Sequence, residues 1–430
     1  MENTLKRNFT LASLALVLLS AQQAVAGGVM LYEIATDDVG LAAAGYSARA
    51  QDASTIFTNP AGMTRLPGNQ IVVGAQVLYG DLSLTTSAVS PFLGSKNGGD
   101  PIGLFPGGSF FYSQTVNDFL KAGIGIYGNF GSSLSYDDDW VGRYSVISST
   151  LLGISIQPTI ALQLEHGLSF GLGVVFMDAF YRNKVAINNT PFELTNFPDG
   201  QLKLSDNAWG VGANVGLLYE ATPCTRFGLT YQSPIKLNFS APTQFSGIRP
   251  VLNTILLNRG LIDSEVKIGI EVPQSTMLSL YHQMTEQWAL LVSTGWQNWE
   301  RFGQVEIGID SLNPISLIVD QRFKDTWHAA VGFQYAITSR CLVNMGVGYD
   351  TKFQDTSHVQ VSIPSNSALR VGLGSRYGYR NDLDFGVALE YISGGDLGVT
   401  NHNLIKGDVV GEFDNTAVYF LSFNANWKCV

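Results

Sequence analysis

The stretch WGVGANVGLLY, Trp209 to Tyr219, decides the fold. Trp209, Val211, Ala213, Val215, Leu217 and Tyr219 fall on one face of an extended chain, and Gly210, Gly212, Asn214 and Gly216 on the other. The same alternation recurs from Cys341, where Val343, Met345, Val347 and Tyr349 oppose Asn344, Gly346, Gly348 and Asp350. It recurs again where Leu369, Val371, Leu373 and Tyr377 oppose Arg370, Gly372, Gly374 and Arg376. A period of two, with one apolar face and one polar or very small face, is the signature of strands that face lipid outward and a lumen inward. A soluble sandwich would turn the apolar face inward. The length of these strands and the aromatic residues ending their apolar faces favour the barrel.

The connections between strands alternate in length. Short turns fall near Asn117-Asp118, Glu165-His166-Gly167, Ala221 to Thr225, Thr285-Glu286-Gln287, Thr338-Ser339-Arg340 and Arg380-Asn381-Asp382. Longer connections lie near residues 87–105, 135–142, 184–203, 240–263, 310–317, 353–365 and 393–415. Together they predict an all-β, antiparallel transmembrane barrel of about 14 strands, both ends on the short-turn, periplasmic side.

Composition and the N-terminus agree. Lys6 and Arg7, the apolar run Leu11 to Leu19 and the Ala24-Val25-Ala26 cleavage pattern make residues 1–26 an export signal, with the mature chain beginning near Gly27. Charged residues are only 14% and hydrophobic residues 45%, yet no later run is long enough for a membrane helix. An exported apolar chain without such helices fits a closed barrel, since only helices and closed barrels satisfy the backbone in lipid. A net charge of −10 argues against a nucleic-acid partner.

Ahead of the first strand lies GYSARAQDASTIFTNPAGMTRLPG (45–68), small, polar and helix-compatible. It makes residues 27–68 a helical hatch inside the lumen and 69–430 the barrel. Pro60 drives Asn59 toward an extended conformation, and Asn is a good cap, so Asn59, Pro60 and Ala61 mark either a gating turn or simply a helix start. Arg49, Asp52 and Arg65 are expected to tie this segment to the wall.

The NPA triplet at Asn59–Ala61 resembles the outer-membrane long-chain fatty-acid and toluene/xylene transporters, the FadL family. So do Asn129-Phe130-Gly131 after the third strand, NAWGVGANVGLLYE (207–220), RFGLTYQSPIKLNF (226–239), VPQSTMLSLYHQMTEQWALLVSTGWQNWERF (272–302) and FKDTW (323–327). The order of these matches covers nearly the whole mature chain. The resemblance implies a non-enzymatic channel in the Gram-negative outer membrane. A hydrophobic molecule, most simply a long-chain fatty acid, binds among the outer loops and passes to a lumenal apolar pocket. The hatch then rearranges, and the ligand leaves sideways at a kink formed by Asn129, Phe130 and Gly131. It also implies that Lys324 lines the pocket as partner of a carboxylate, with Arg182 and Lys184 near a second basic position. A lumenal salt bridge or a rim charge is the alternative for each. Uptake of aromatic or aliphatic hydrocarbons, and a general-diffusion porin, are the competing functions.

Other features add less. Val251, Leu252, Ile255, Leu256 and Leu261 in PVLNTILLNRGLI (250–262) fit one helical face, either a ligand-binding patch or a surface packed on a neighbouring loop. Gly123-x-Gly125-x-x-Gly128 lies inside a strand with no helix after it and is no dinucleotide site. The five histidines lack metal-ligand spacing, so no metal or cofactor is expected. Asp137-Asp138-Asp139 is either a solvated loop or a cation or lipopolysaccharide contact. Cys224, Cys341 and Cys429 share the periplasmic end, and their spacing supports no pairing. Phe423 and Trp427 stand in for the terminal aromatic residue read by the barrel-assembly machinery. The chain is expected to act as a monomer among outer-membrane lipid and lipopolysaccharide.

Overall fold

The computed structural model describes residues 30–190, 198–352, 354–355, 359, 364–403 and 406–429. The export signal and its cleavage site, the first hatch residues and His358 lie outside them. The strands are β1 (Asn69–Val89), β2 (Gly103–Thr115), β3 (Leu120–Ser135), β4 (Ser148–Gln163), β5 (Leu168–Ile187), β6 (Gly200–Thr222) and β7 (Thr225–Gln232). They continue with β8 (Ile235–Pro242), β9 (Gln244–Ser246), β10 (Glu265–Val272), β11 (Ser275–Gln283), β12 (Trp288–Gln297), β13 (Gln304–Asp310) and β14 (Ile315–Asp320). The chain ends in β15 (Thr326–Thr338), β16 (Cys341–Asp350), β17 (Ala368–Arg380), β18 (Leu383–Asn401) and β19 (Val409–Cys429). Strands β1–β7, β11, β12 and β15–β19 close into an antiparallel barrel of 14 strands. The pairing of Asn69 with Cys429 puts both ends of the wall on the short-turn side.

The alternation read from Trp209 holds. Trp209 and Val211 are 64% and 60% exposed on the lipid side, while Asn214 and Leu218 are buried toward the lumen. The long-loop side holds more structure than the sequence suggested. The connections expected near 240–263 and 310–317 are flanked by β8, β10, β13 and β14, which form a second, four-stranded sheet above the wall. The ladder of β7 ends before Pro234, Pro273 separates β10 from β11, and a helical turn, Trp299–Phe302, follows β12. Proline lacks the N–H a central ladder needs, so the chain leaves the wall there. The connection expected at 393–415 is likewise shorter, because β18 and β19 remain paired out to Asn401 and Val409.

On the other side of the mouth, the loops after β1, β3 and β5 are locked together by Arg143. It donates to Asp199 Oδ2 at 2.7 Å and to the Leu93 carbonyl at 2.7 Å, and the Tyr144 hydroxyl donates to Asp199 Oδ1. Burial and that carboxylate push the Tyr144 phenol up.

Residues 30–66 lie inside the barrel. Helices α1 (Thr36–Gly40) and α2 (Thr55–Thr58) and a 3-10 helix, Pro60–Arg65, are linked by tight turns. Every residue from Tyr32 to Ala50 is buried. The lumenal glycines make this possible. Gly346 and Gly372 pair across β16 and β17, and a Cβ on either would overlap the Leu41 or Val39 carbonyl of the segment. Placing Val at Gly346 should therefore loosen the inner segment by roughly 1–3 kcal/mol, the usual cost of overpacking, without touching the wall ladder. Protease accessibility of residues 36–50 should rise while the barrel keeps its heat-resistant mobility on a detergent gel.

Candidate functional site

On the long-loop side, β2 and β3 part. Strand β2 pairs with β3 only from Ser109–Tyr127 to Thr115–Lys121. Above Ser109, residues Gly103 to Gly108 keep β1 as neighbour but have no partner on β3. This unpaired edge contains Pro106, a residue suited to sheet edges. Strand β3 turns away because it is bulged: Tyr127 pairs with Ser155 and Phe130 with Gly153, leaving Gly128 and Asn129 opposite Ile154 alone. An extra residue bends a strand and increases its twist.

The parting strands enclose a cavity of about 480 Å³. Phe105, Pro106 and Gly108 form one side, Gly128 and Gly131 the other, and Leu31 of the inner segment lies at the lumenal side. Its outer rim includes Ile126 and Ile154, 39% and 59% exposed on the lipid-facing surface. A second, much smaller pocket of about 20 Å³ lies in the lumen, bordered by Tyr32, Tyr46, Phe57, Gln232 and Trp296. Leu31 borders both.

The inner segment touches the bulge directly. Leu31 N donates to the Asn129 carbonyl at 2.8 Å, Met30 bridges to Phe130, and Phe57 packs on Tyr127 with ring centroids 4.6 Å apart. Asn129, Phe130 and Gly131 thus sit at the opening, where the sequence placed a kink.

Asn59 anchors the opposite side. Extended at φ −161°, it caps the Pro60–Arg65 helix, its Oδ1 accepting from Ala61 N at 3.0 Å. Its Nδ2 donates to the Ser47 carbonyl at 2.6 Å and to the Leu217 carbonyl of β6 at 2.9 Å. The turn rests on Gly171 and Gly216, a cross-strand pair on which side chains would overlap Pro60, Ala61 and Asn59. The triplet starts a helix and anchors it to the wall.

Ion pairs complete the seat, with a different membership from that expected. Arg65 does reach the wall at Glu220, but Arg49 pairs within the inner segment, with Asp38 at 2.7 Å. Asp52 is held by Arg376 of β17 at 2.6 Å, and Arg376 also pairs with Asp37. Arg370 of β17 faces Glu33, Asp350 and Glu390, and His328 Nδ1 meets Asp350 at 2.7 Å. Arg226 donates to the carbonyls of Ala48 and Arg49. The wall residues were visible only as charges on the small-residue faces of strands, Arg370 and Arg376 among them. Their partners could not be read from the pattern.

The remaining expected residues lie elsewhere. Lys324 borders neither cavity: it lies in the loop before β15, 60% exposed, with Asp355 at 2.7 Å. Strand alternation does not govern a loop, and the neighbouring Asp325 is held by Trp296 and Asn298. Arg182 and Lys184 point outward from β5, not into the lumen. Arg182 is exposed over the Phe180 ring, and Lys184 pairs with Asp138 at 2.9 Å. Helix α3 (Pro250–Asn258) forms as its periodicity predicts, with Leu252 and Leu256 buried in the core under the upper sheet and Ile255 half-buried. Its Val251 and Leu257 stay exposed. Asp139 pairs with Lys96, and no metal-binding cluster occurs among the described residues. The three cysteines are free thiols at the periplasmic end.

A closed membrane barrel filled by its own N-terminal segment, with an opening between β2 and β3, defines a plugged outer-membrane channel. Residues 17–428 match the Outer membrane protein transport protein family (OMPP1/FadL/TodX), and the chain belongs to that family. It is a transport protein of the Gram-negative outer membrane, not an enzyme. It is 27% identical over 418 residues to the long-chain fatty acid transport protein of Escherichia coli O6:H1, covering 90% of this chain and 92% of the relative. It is 27% identical to the 47 kDa outer membrane protein of Pasteurella multocida over the full length of both. Among solved structures, a Pseudomonas aeruginosa FadL homologue superposes with a TM-score of 0.84 at 18% identity, covering 94% of this chain and 100% of that one. The P. putida toluene transporter TodX gives 0.71 at 16%, covering 92% and 98%.

Asn59→Ala removes three buried hydrogen bonds and orphans the groups they served. Each such orphan costs roughly 1–3 kcal/mol. The variant should fold as a barrel yet show raised, flickering ion conductance in planar bilayers.

Proposed function

We propose that this outer-membrane transporter takes up hydrophobic compounds, long-chain fatty acids foremost, and releases them sideways through the opening between β2 and β3. The observation that carries the reading is the unpaired segment Gly103–Gly108 beside a cavity whose rim continues into the lipid-facing surface. A long acyl tail would lose about 0.8 kcal/mol per methylene on entering a water-filled lumen, so a lateral route keeps it out of water. The name of the Escherichia coli relative supports the choice of fatty acid. The packed inner segment speaks against a general-diffusion porin.

In this mechanism Leu31 is the moving part. It separates the lumenal pocket from the side cavity, and a shift of Met30 and Leu31 off the bulge joins the two. Residues 36–65 act as a fixed hatch, held by the glycine seats, Asn59 and the Arg376 pairs.

Uptake of neutral hydrocarbons is the second reading, favoured by the linings: no lysine or arginine borders either cavity. A fatty acid must then travel protonated or leave its head group outside. The two readings separate when uptake of a long-chain fatty acid is compared with that of an alkane of equal length.

Gly108 and Gly128 allow the route itself to be tested. An added Cβ would meet its nearest neighbour at 3.4 Å and 3.6 Å, ordinary contact distances. Gly108→Phe combined with Gly128→Phe should fill the opening while the barrel still folds. Whole-cell uptake should fall at least about tenfold, and undiminished uptake would refute lateral release. Leu31→Gly should act oppositely, raising leak of small solutes measured by liposome swelling.

A further inference from the structure

The outward surface of β5 and β6 changes character at the membrane boundary. Within the bilayer it is apolar, with Val174, Phe176 and Val211 exposed, and it reaches Trp209, which pairs with Asp178. Beyond that level the outward positions are Phe180, Arg182 and Lys184 on β5 and Asn207, Ser205 and Lys203 on β6. Lys184 and Lys203 are directly paired across the two strands, and side chains of such a pair share a face. Two cations would repel there unless an anion sat between them. Asp138 takes part of Lys184, but among the described residues neither Arg182 nor Lys203 pairs with an acid.

Height identifies the anion. At ~3.3 Å per residue and a strand tilt of ~40°, Arg182 stands about 10 Å above the Trp209 level. Lys184 and Lys203 stand about 5 Å further out on the same geometry. That is the head-group layer above the hydrocarbon. Other sectors of the wall carry acids just beyond their outward aromatic residues: Asp81 follows Tyr79 on β1, and Asp325 precedes Trp327. The basic character is therefore local.

We propose that Arg182, Lys203 and Lys184 form a site for the phosphates of the outer-leaflet glycolipid, lipid A, with its acyl chains lying on Phe176, Val211 and Trp209. Arg182, braced over the Phe180 ring, supplies a fork of donors suited to a phosphate, and the lysines supply point charges above it. The inference is independent of the transported substrate and of the route through the wall.

The test is native mass spectrometry of the detergent-purified full-length protein, titrated with bisphosphorylated lipid A and with its fully dephosphorylated counterpart. The native protein should prefer the phosphorylated lipid by about tenfold or more, since a surface cation contributes about a factor of five to anionic-lipid binding. Arg182→Gln with Lys203→Gln should abolish that preference while leaving affinity for the dephosphorylated lipid unchanged. Asp81→Asn on the acidic sector should leave both unchanged. An equal preference in the native and double-variant proteins, or none in either, would overturn the proposal. So would a preference that survives in the double variant but disappears with a chelator, because it would place the lipid on Asp137–Asp139 through a divalent cation.

Discussion

Hydrocarbon offers a peptide group nothing to hydrogen-bond with, so a membrane-spanning strand needs a neighbour on each side. Strand β2 meets this requirement along its lower half and abandons it above Ser109. Everything distinctive about the molecule gathers at that exception. The bulge at Gly128 and Asn129 carries β3 away, a cavity fills the space left, and the beginning of the inner segment is hydrogen-bonded to the bulged strand. A gap in a barrel wall is costly unless something is meant to occupy it. On the proposed reading the occupant is the transported molecule.

The inner segment is not held uniformly. Its body is seated on cross-strand glycine pairs, pinned by Asn59 and tied by buried ion pairs through Arg376 and Arg370. Losing one partner of a buried pair costs roughly 3–5 kcal/mol, so wholesale expulsion of this body is an expensive way to open a channel. Among the described residues, Met30 and Leu31 are tied to the bulge by one backbone hydrogen bond and a bridge. This contrast makes the first few residues the economical place for movement.

The barrel was legible because its rule is local: alternation from Trp209 and the rhythm of short and long connections need no knowledge of distant partners. The same residues held half of the next answer. Gly216, Gly346, Gly372, Arg370 and Arg376 were visible on the small or polar faces, but why those faces are small becomes clear only when the inner segment is seen pressed against them. The opening was legible in part, since Asn129-Phe130-Gly131 marked the bend. That β2 lacks a partner there is a long-range fact of pairing that no local pattern carries. Lys324 sits in a loop, where the face a residue occupies cannot be counted from its neighbours. Arg182 and Lys184 stay on β5, whose alternation puts them on its outward face as rim charges, the alternative that the sequence offered beside the pocket.

The central claim is that the cavity between β2 and β3 lies on the path of the transported molecule. A crystal structure with a long-chain fatty acid brominated near its methyl end tests it most directly, because anomalous scattering locates the bromine without interpretation of weak density. The account predicts a bromine peak in the side cavity, among Phe105, Gly128 and Leu152. A peak beneath the inner segment, near Leu66 and Lys121 on the way to the periplasm, with the side cavity empty, would contradict it.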